Sequence, residues 1–303
     1  ILVLLLALGT VGMYTASLTR RASGGGQVAT VGKLIVFCVL LATGLWAVMS
    51  SPAEQTVANL SPFMPWGSAG LVAAMGFTFI AVQGFDLISA IAGEVKEPKR
   101  TIPRAMLGSL AVAMIIYLPL LVIVAAVGVE PGDTIGEVSR VNPETVMAVA
   151  AEHFIGVWGY WLVVIAAVLS TLSALSANFM AASRVAQRMA QDRTLPAGFD
   201  LVHSKYKTPV AAVQASAVAV ITLIVLLPDL ATAGAAASLI FLISFSLAHV
   251  TCYLARVRGS AEQEGFLMPF FPFLPFLGAV VCGGLAIFQA IVVPSAGAVT
   301  LAW

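Results

Sequence analysis

Residues 77–106 read FTFIAVQGFDLISAIAGEVKEPKRTIPRAM, and this stretch decides the fold. Its first half is apolar apart from Gln83 and Asp86, whereas its second half is dense in charges of both signs. About 20 mostly apolar residues are enough for a helix to cross a bilayer. Charged side chains are costly in lipid, and proline resists continuation of a helix. The stretch therefore predicts a membrane helix that stops in a charged linker.

Gly84 and Asp86 predict that this helix is broken. Asp86 lies roughly 12 Å from the charged boundary at Glu94 on helical rise, which is too deep for so short a side chain to reach the interface. A glycine lowers helix stability by about 1 kcal/mol, and unwound backbone inside a membrane is tolerated where it lines a cavity. The alternative is that Gly84 is a close-packing position and Asp86 pairs with a neighbouring helix.

The composition of the whole chain agrees with a membrane protein. Of its 303 residues, 60% are hydrophobic and 10% are charged, against about 45–50% and about 25% in soluble domains. A soluble protein of this length could not cover its surface with so few charges, so the solvent for most of the chain is a lipid bilayer. The net charge of +1 does not indicate the strongly basic surface that is typical of proteins that bind nucleic acid.

Long apolar runs recur along the chain. None alternates with a period of two residues, so helices are favoured over a barrel. The sequence predicts an all-α, polytopic membrane protein, truncated at both ends because the chain begins and stops inside apolar runs. The predicted spans are 1–19, 28–49, 68–93, 105–128, 153–183, 209–227, 233–255 and 271–293, with a ninth beginning near Ser295.

Basic residues concentrate in alternate loops, which the positive-inside rule places in the cytoplasm. These cytoplasmic loops are 20–27, 94–104, 184–208 and 256–268. The loop from Glu130 to Glu152 carries Pro131 and Gly132 and is instead largely acidic. Near the end of this loop, 144–154 has helical spacing, which predicts a short external helix on the membrane face. Asn142 is its expected cap, with Pro143 at the first helical position.

Lys33 is the other ionisable residue that falls inside a predicted span. One interpretation is that its long side chain reaches back to the cytoplasmic interface. The other is that it is a buried amine that exchanges a proton, because removal from water disfavours a charged amine. The spacing alone leaves both readings open.

The span 153–183 carries a polar stripe. Ser170, Ser173 and Ser176 share one helical face, and Asn178 follows near mid-span. Small hydroxyl residues often mediate helix packing in membranes. An amide at that depth needs polar partners, which a cavity also supplies.

Catalytic and metal-binding motifs are absent from the sequence. It has no HExxH, no GxSxG and no paired intramembrane aspartates, and its three histidines are scattered. We therefore expect no catalytic residues, no metal, no cofactor and no enzymatic activity.

Two stretches resemble the amino acid–polyamine–organocation permease superfamily. Residues 77–106 are similar to its sixth helix and following loop, and 183–209, SRVAQRMAQDRTLPAGFDLVHSKYKTP, are similar to the loop after its eighth helix. The resemblance implies two inverted five-helix repeats around a central substrate site. On this reading 1–303 is one transporter domain, running from the fourth helix to the start of the twelfth. Its expected parts are the last two helices of the first repeat (1–49), the second repeat (68–255) and peripheral helices (271–303).

The resemblance also implies roles for particular residues. The sixth-helix break falls at 80–86, where family members bind the substrate amino group through backbone carbonyls. Asp86 matches an acidic position linked to proton coupling or gating. Lys33 matches a lysine of sodium-independent members similar to the cationic amino acid transporters, in which its ammonium stands in for sodium. The implied substrate-binding residues are Ile80, Gln83, Gly84, Phe85 and Asn178.

The expected function is secondary active amino acid permeation by alternating access, with proton-coupled symport across the plasma membrane. The expected partners are a small-molecule substrate, either an amino acid or an amine, a proton and the lipid bilayer. Two rivals stay open, namely an amino acid or polyamine exchanger on the same fold, and a structural or sensory membrane subunit that does not transport. A channel is disfavoured because charged pore-lining rings are lacking.

Overall fold

The computed structural model describes residues 2–20, 26–130, 133–141, 143–203, 208–226, 230–259 and 266–302. Within these ranges the chain forms helices and turns and no strand. The predicted all-α class is therefore confirmed. The α-helices are α1 (Leu2–Arg20), α2 (Gly26–Ser50), α3 (Ala53–Asn59), α4 (Gly67–Thr78), α5 (Leu87–Ala90), α6 (Pro98–Val127), α7 (Ile135–Val141), α8 (Val146–Ile155), α9 (Val157–Gln191), α10 (Val210–Leu226), α11 (Leu230–Val257), α12 (Phe273–Val292) and α13 (Pro294–Ala302).

Six segments of the described chain are long and apolar enough to cross a membrane, which confirms the polytopic class. The predicted spans 1–19 and 209–227 correspond to the apolar helices α1 (Leu2–Arg20) and α10 (Val210–Leu226). The six segments are Thr30–Ser50, Gly67–Ala90, Pro98–Val127, Val157–Gln191, Ala231–Val257 and Phe273–Val292. The division into repeats at 1–49 and 68–255 stays a prediction.

Two predicted basic loops are shorter than expected, because helices extend into them. α6 begins at Pro98, so most of 94–104 is helical. Proline suits the first helical position because it lacks an N–H that would go unpaired there. α9 continues to Gln191 and carries Arg184 and Arg188. Parts of the predicted loops, at 21–25, 204–207 and 260–265, lie outside the described residues.

The helix predicted at 144–154 exists, but its start was misplaced. α8 begins at Val146 after Thr145, so Pro143 is not its first helical residue. The proposed cap Asn142 and the pair Pro131–Gly132 lie outside the described residues. Gly156, with φ of +82°, separates α8 from α9. α9 therefore begins after this glycine and not at 153, because left-handed backbone interrupts the helix.

One compact unit comprises 1–63 and 111–220. In it α2 packs against α8 and α9, around a buried core of Leu40, Leu120, Val124, Ala150 and Ala151. Gly44 on α2 contacts Ile123 on α6 so closely that an added Cβ would overlap the isoleucine side chain. Small residues allow such close helix approach in membranes.

The second compact unit comprises 64–110 and 221–303. In it α11 packs against α4, α12 and α13, and α12 also packs against α4. Leu239, Leu242 and Ala286 form a buried cluster against which Phe79 packs. This cluster supports the segment that follows α4, where the predicted break lies.

Candidate functional site

The membrane segment Gly67–Ala90 is interrupted in its second half. α4 ends at Thr78, and the chain tightens into a 3₁₀ turn at Phe79–Val82. Gln83 is extended, with φ −62° and ψ 151°, and α5 resumes at Leu87 for a single turn. The interruption therefore covers the predicted stretch 80–86.

Gly84 and Asp86 hold the interruption in place. The backbone N–H of Gly84 donates to Oδ1 of Asp86 over 2.9 Å, so this freed backbone donor has a partner. Gly84 has φ of +122°, which side-chain-bearing residues rarely adopt. An added Cβ would meet no described atom within 4 Å. Backbone conformation, and not lack of space, is therefore what requires glycine here.

The interruption takes backbone groups out of the regular helical ladder. The N–H of Gln83 donates to the carbonyl of Ile80 over 3.0 Å, closing the 3₁₀ turn. A carbonyl oxygen has two lone pairs, so one such bond does not exhaust it. Broken helices in transporters use unwound carbonyls to coordinate cations. The carbonyl of Ile80 can therefore accept a further hydrogen bond, which is the kind of bond that an ammonium group donates.

One aromatic ring on α11 contacts two residues of the interruption, one near its start and one near its end. The ring of Phe245 lies 5.8 Å from that of Phe79, edge to face, and 5.7 Å from that of Phe85. Phe241 stacks on Phe245 at 6.3 Å. Phe85, predicted as a substrate-binding residue, is half-buried and packs on α11 through this cluster. Ile80 is also half-buried.

The last turns of α4 rest on two buried polar residues that the sequence reasoning missed. Ser238 on α11 donates its hydroxyl to the carbonyl of Gly76 over 2.6 Å. The side chain of Gln289 on α12 lies against Gly76, where an added Cβ would stand 2.7 Å from Oε1. An amide and a hydroxyl in long apolar runs were the available signal, since buried polar groups in lipid need partners.

Lys33 lies in the second turn of α2 and is half-buried. It belongs to the compact unit formed by 1–63 and 111–220, as does Asn178. The five predicted residues Ile80, Gln83, Gly84, Phe85 and Asp86 come together on one short segment of the other unit. Their assigned roles stay predictions.

Asn178 lies on α9, which runs without interruption through the predicted polar stripe. Its Nδ2 donates to the carbonyl of Ala174 over 2.9 Å. Thr171 makes the same kind of bond to Ala167, also at 2.9 Å. These side chains donate back to their own helix, so they do not open it. Across the described ranges, no three His, Cys, Asp or Glu residues are grouped to hold a metal ion.

Comparison with known proteins identifies the family. A family model described as amino acid permease matches residues 2–301. Inner membrane transport protein YbaT of Escherichia coli is 32% identical over 202 residues, which cover 64% of this chain and 43% of that protein. Cationic amino acid transporter 5 of Arabidopsis thaliana is 28% identical, covering 64% of this chain and 32% of the relative. Serine/threonine exchanger SteT of Bacillus subtilis is 28% identical, with 82% and 55% covered.

The chain belongs to the amino acid permease family, because the family model matches nearly all of it. The resemblance of residues 77–106 and 183–209 to this superfamily is thereby confirmed. The chain spans about half the length, or less, of the curated relatives it matches.

Proposed function

We propose that this member of the amino acid permease family belongs to a secondary active amino acid transporter that works by alternating access. The single observation that carries the proposal is the interruption at 79–86 of an otherwise apolar membrane segment. Unwound backbone in a bilayer is costly unless it lines a cavity that uses it. Family membership supplies the substrate class, and the three relatives described above are named as transporters or exchangers.

In the proposed mechanism the substrate ammonium binds the carbonyls of Ile80 and Gln83. Gly84 allows the turn that directs these groups away from the ladder, and Phe85 packs on Phe245 to form a wall beside them. Asp86 is a gating residue, because its carboxylate holds the Gly84 N–H that defines the turn. The family resemblance adds the amide of Asn178 on α9 to the proposed substrate-binding groups.

Proton coupling is proposed to depend on Lys33. Lys33 is half-buried in the second turn of α2, within a segment that is apolar enough to cross a membrane. Loss and gain of its proton would then bias the outward and inward states in turn. The proposed setting is the plasma membrane, with the basic segments at 20–27, 94–104, 184–208 and 256–268 in the cytoplasm, as the positive-inside rule indicates.

Uptake by the intact protein in proteoliposomes tests the proposal. Labelled amino acids should accumulate, and an outside-acidic pH gradient should increase the initial rate. Lys33→Ala should remove that response, while Lys96→Ala, at an exposed lysine outside the α-helices, should retain it. An unchanged pH response in Lys33→Ala would contradict the coupling role.

Obligatory exchange is the second candidate, favoured by the relative named serine/threonine exchanger. It predicts uptake that requires an amino acid inside the vesicle and that ignores the pH gradient. A subunit that does not transport is the remaining rival. It predicts that no amino acid raises the melting temperature of the protein, because a ligand that binds the folded state stabilises it.

A further inference from the structure

Gly76 is the point at which the half-helix before the interruption meets two buried polar side chains. Ser238 is 0% exposed and Gln289 is 1% exposed, and both lie in apolar surroundings on α11 and α12. The carbonyl of Gly76 is the one that an unbroken α-helix would pair with the N–H of Ile80. The contact is therefore one helical turn before the first proposed substrate-binding carbonyl.

The Ser238 hydroxyl makes a bond between helices, not within its own helix. Among the described residues, many helical serine and threonine hydroxyls donate to a carbonyl three or four residues earlier, as Thr78 does to Ala74 at 2.7 Å and Ser244 to Ile240 at 2.8 Å. Ser238 instead donates to Gly76 across 162 residues of sequence. This bond ties the end of α4 to α11.

The side-chain amide of Gln289 has a hydrogen-bond donor that is not paired with any described residue. Its Oε1 lies against Gly76, while its Nε2 is buried without a hydrogen-bond partner among the described residues. A buried N–H that pairs with nothing lowers stability, and in hydrocarbon no bulk water replaces the partner. An unpaired buried N–H of this kind is explained if it forms a hydrogen bond in another conformation of the protein.

We propose that Ser238 and Gln289 are positioning residues that contact Gly76 and fix the position of the half-helix Gly67–Thr78. The pair of contacts from Ser238 and Gln289 to Gly76 is called the clasp below. In the conformation described above, the Ser238 hydroxyl stabilises the half-helix. In a second conformation the half-helix shifts, and the Nε2 of Gln289 donates a hydrogen bond to the half-helix backbone in place of the Ser238 hydroxyl. The inference rests on the proposed function, because the clasp fixes the carbonyls of Ile80 and Gln83 in two alternative positions.

The first test replaces the amide with an apolar side chain of similar length. Gln289→Met removes the unpaired donor, so the melting temperature of the ligand-free protein should rise by about 2–4 °C. Turnover should fall about tenfold, because the second arrangement loses its hydrogen bond. A lower melting temperature, including failure to fold, overturns the proposal. A higher melting temperature with unchanged turnover overturns it as well.

The second test uses two serines of α11. Ser238→Ala should speed amide hydrogen exchange at 77–82 several-fold in the protein held in lipid, and Ser238→Thr should restore the wild-type rate. Ser244→Ala is the matched control, since that exposed hydroxyl bonds within its own helix. Equal exchange at 77–82 in both alanine variants would overturn the clasp. This readout needs no transport, so it separates failure of the clasp from failure of the proposed function.

Discussion

The segment 67–94 and the helix α9 both carry polar side chains deep in apolar sequence, yet only the first is broken. In α9 the hydroxyl of Thr171 and the amide of Asn178 donate to carbonyls four residues earlier. In the broken segment the carboxylate of Asp86 accepts a backbone N–H from Gly84. In α9 the polar side chains are hydrogen-bond donors and the helix is continuous. In 67–94 the side chain of Asp86 is the acceptor and the helix is interrupted.

A side-chain donor adds a bond to a carbonyl that already sits in the ladder, so the ladder survives. A side-chain acceptor placed two residues after glycine satisfies an N–H that has left the ladder. The acceptor thereby stabilises non-helical backbone. Polar content in a membrane span is therefore not enough to indicate a break, and in this chain the break falls where a glycine is followed by a short acceptor.

The largest expected effect comes from removing the backbone freedom at the break. Gly84→Ala forces a side chain into φ of +122°, at a cost of about 1–3 kcal/mol. Uptake should fall by roughly tenfold or more. Gly93→Ala is the control, since Gly93 has no positive φ and an added Cβ meets no described atom within 4 Å. Equal uptake by the two variants would contradict the account.

A smaller effect is expected from removing the acceptor. Asp86→Ala leaves the Gly84 N–H without its partner, which should lower uptake about fivefold, in line with a loss of about 1 kcal/mol. Asp86→Asn keeps an acceptor oxygen and should preserve most of the uptake. Initial rates at matched membrane levels measure both. If Asn were as damaging as Ala, the charge and not the hydrogen bond would be what matters.

The smallest effect is expected in the unbroken helix. Asn178→Ala should change KM by about two- to threefold without reshaping α9, because its bond to Ala174 duplicates a ladder contact of roughly 0.5–1 kcal/mol. Thr171→Val, which removes a comparable bond outside the proposed site, should leave KM and kcat unchanged. A collapse of uptake in Thr171→Val would mean that the comparison between the two regions is wrong.

The sequence predicted the break well because its cause is local. Gly84 and Asp86 are two residues apart, and both the special backbone and its acceptor lie inside that window. Helix ends were less accurate. Thr145 and Gly156 flank α8, whereas Pro143 suggested an earlier start. Proline is tolerated at the first position of a helix, but its presence does not require a helix to begin there.

The clasp on Gly76 was beyond sequence reasoning because its partners are far apart in the chain. Ser238 and Gln289 meet Gly76 only after α11 and α12 pack against α4. Phe245 is a similar case, since an aromatic residue in an apolar run gives no sign that it contacts both Phe79 and Phe85. Long-range contacts of this kind require the tertiary structure.

Hydrogen exchange in lipid, with and without amino acids, tests the central claim most directly. The account predicts that a transported amino acid slows amide exchange at 79–86 in a concentration-dependent way. Exchange at 170–178 in α9 should change much less, because that ladder is already closed. Uptake of an amino acid that leaves exchange at 79–86 unchanged at saturation would contradict the account.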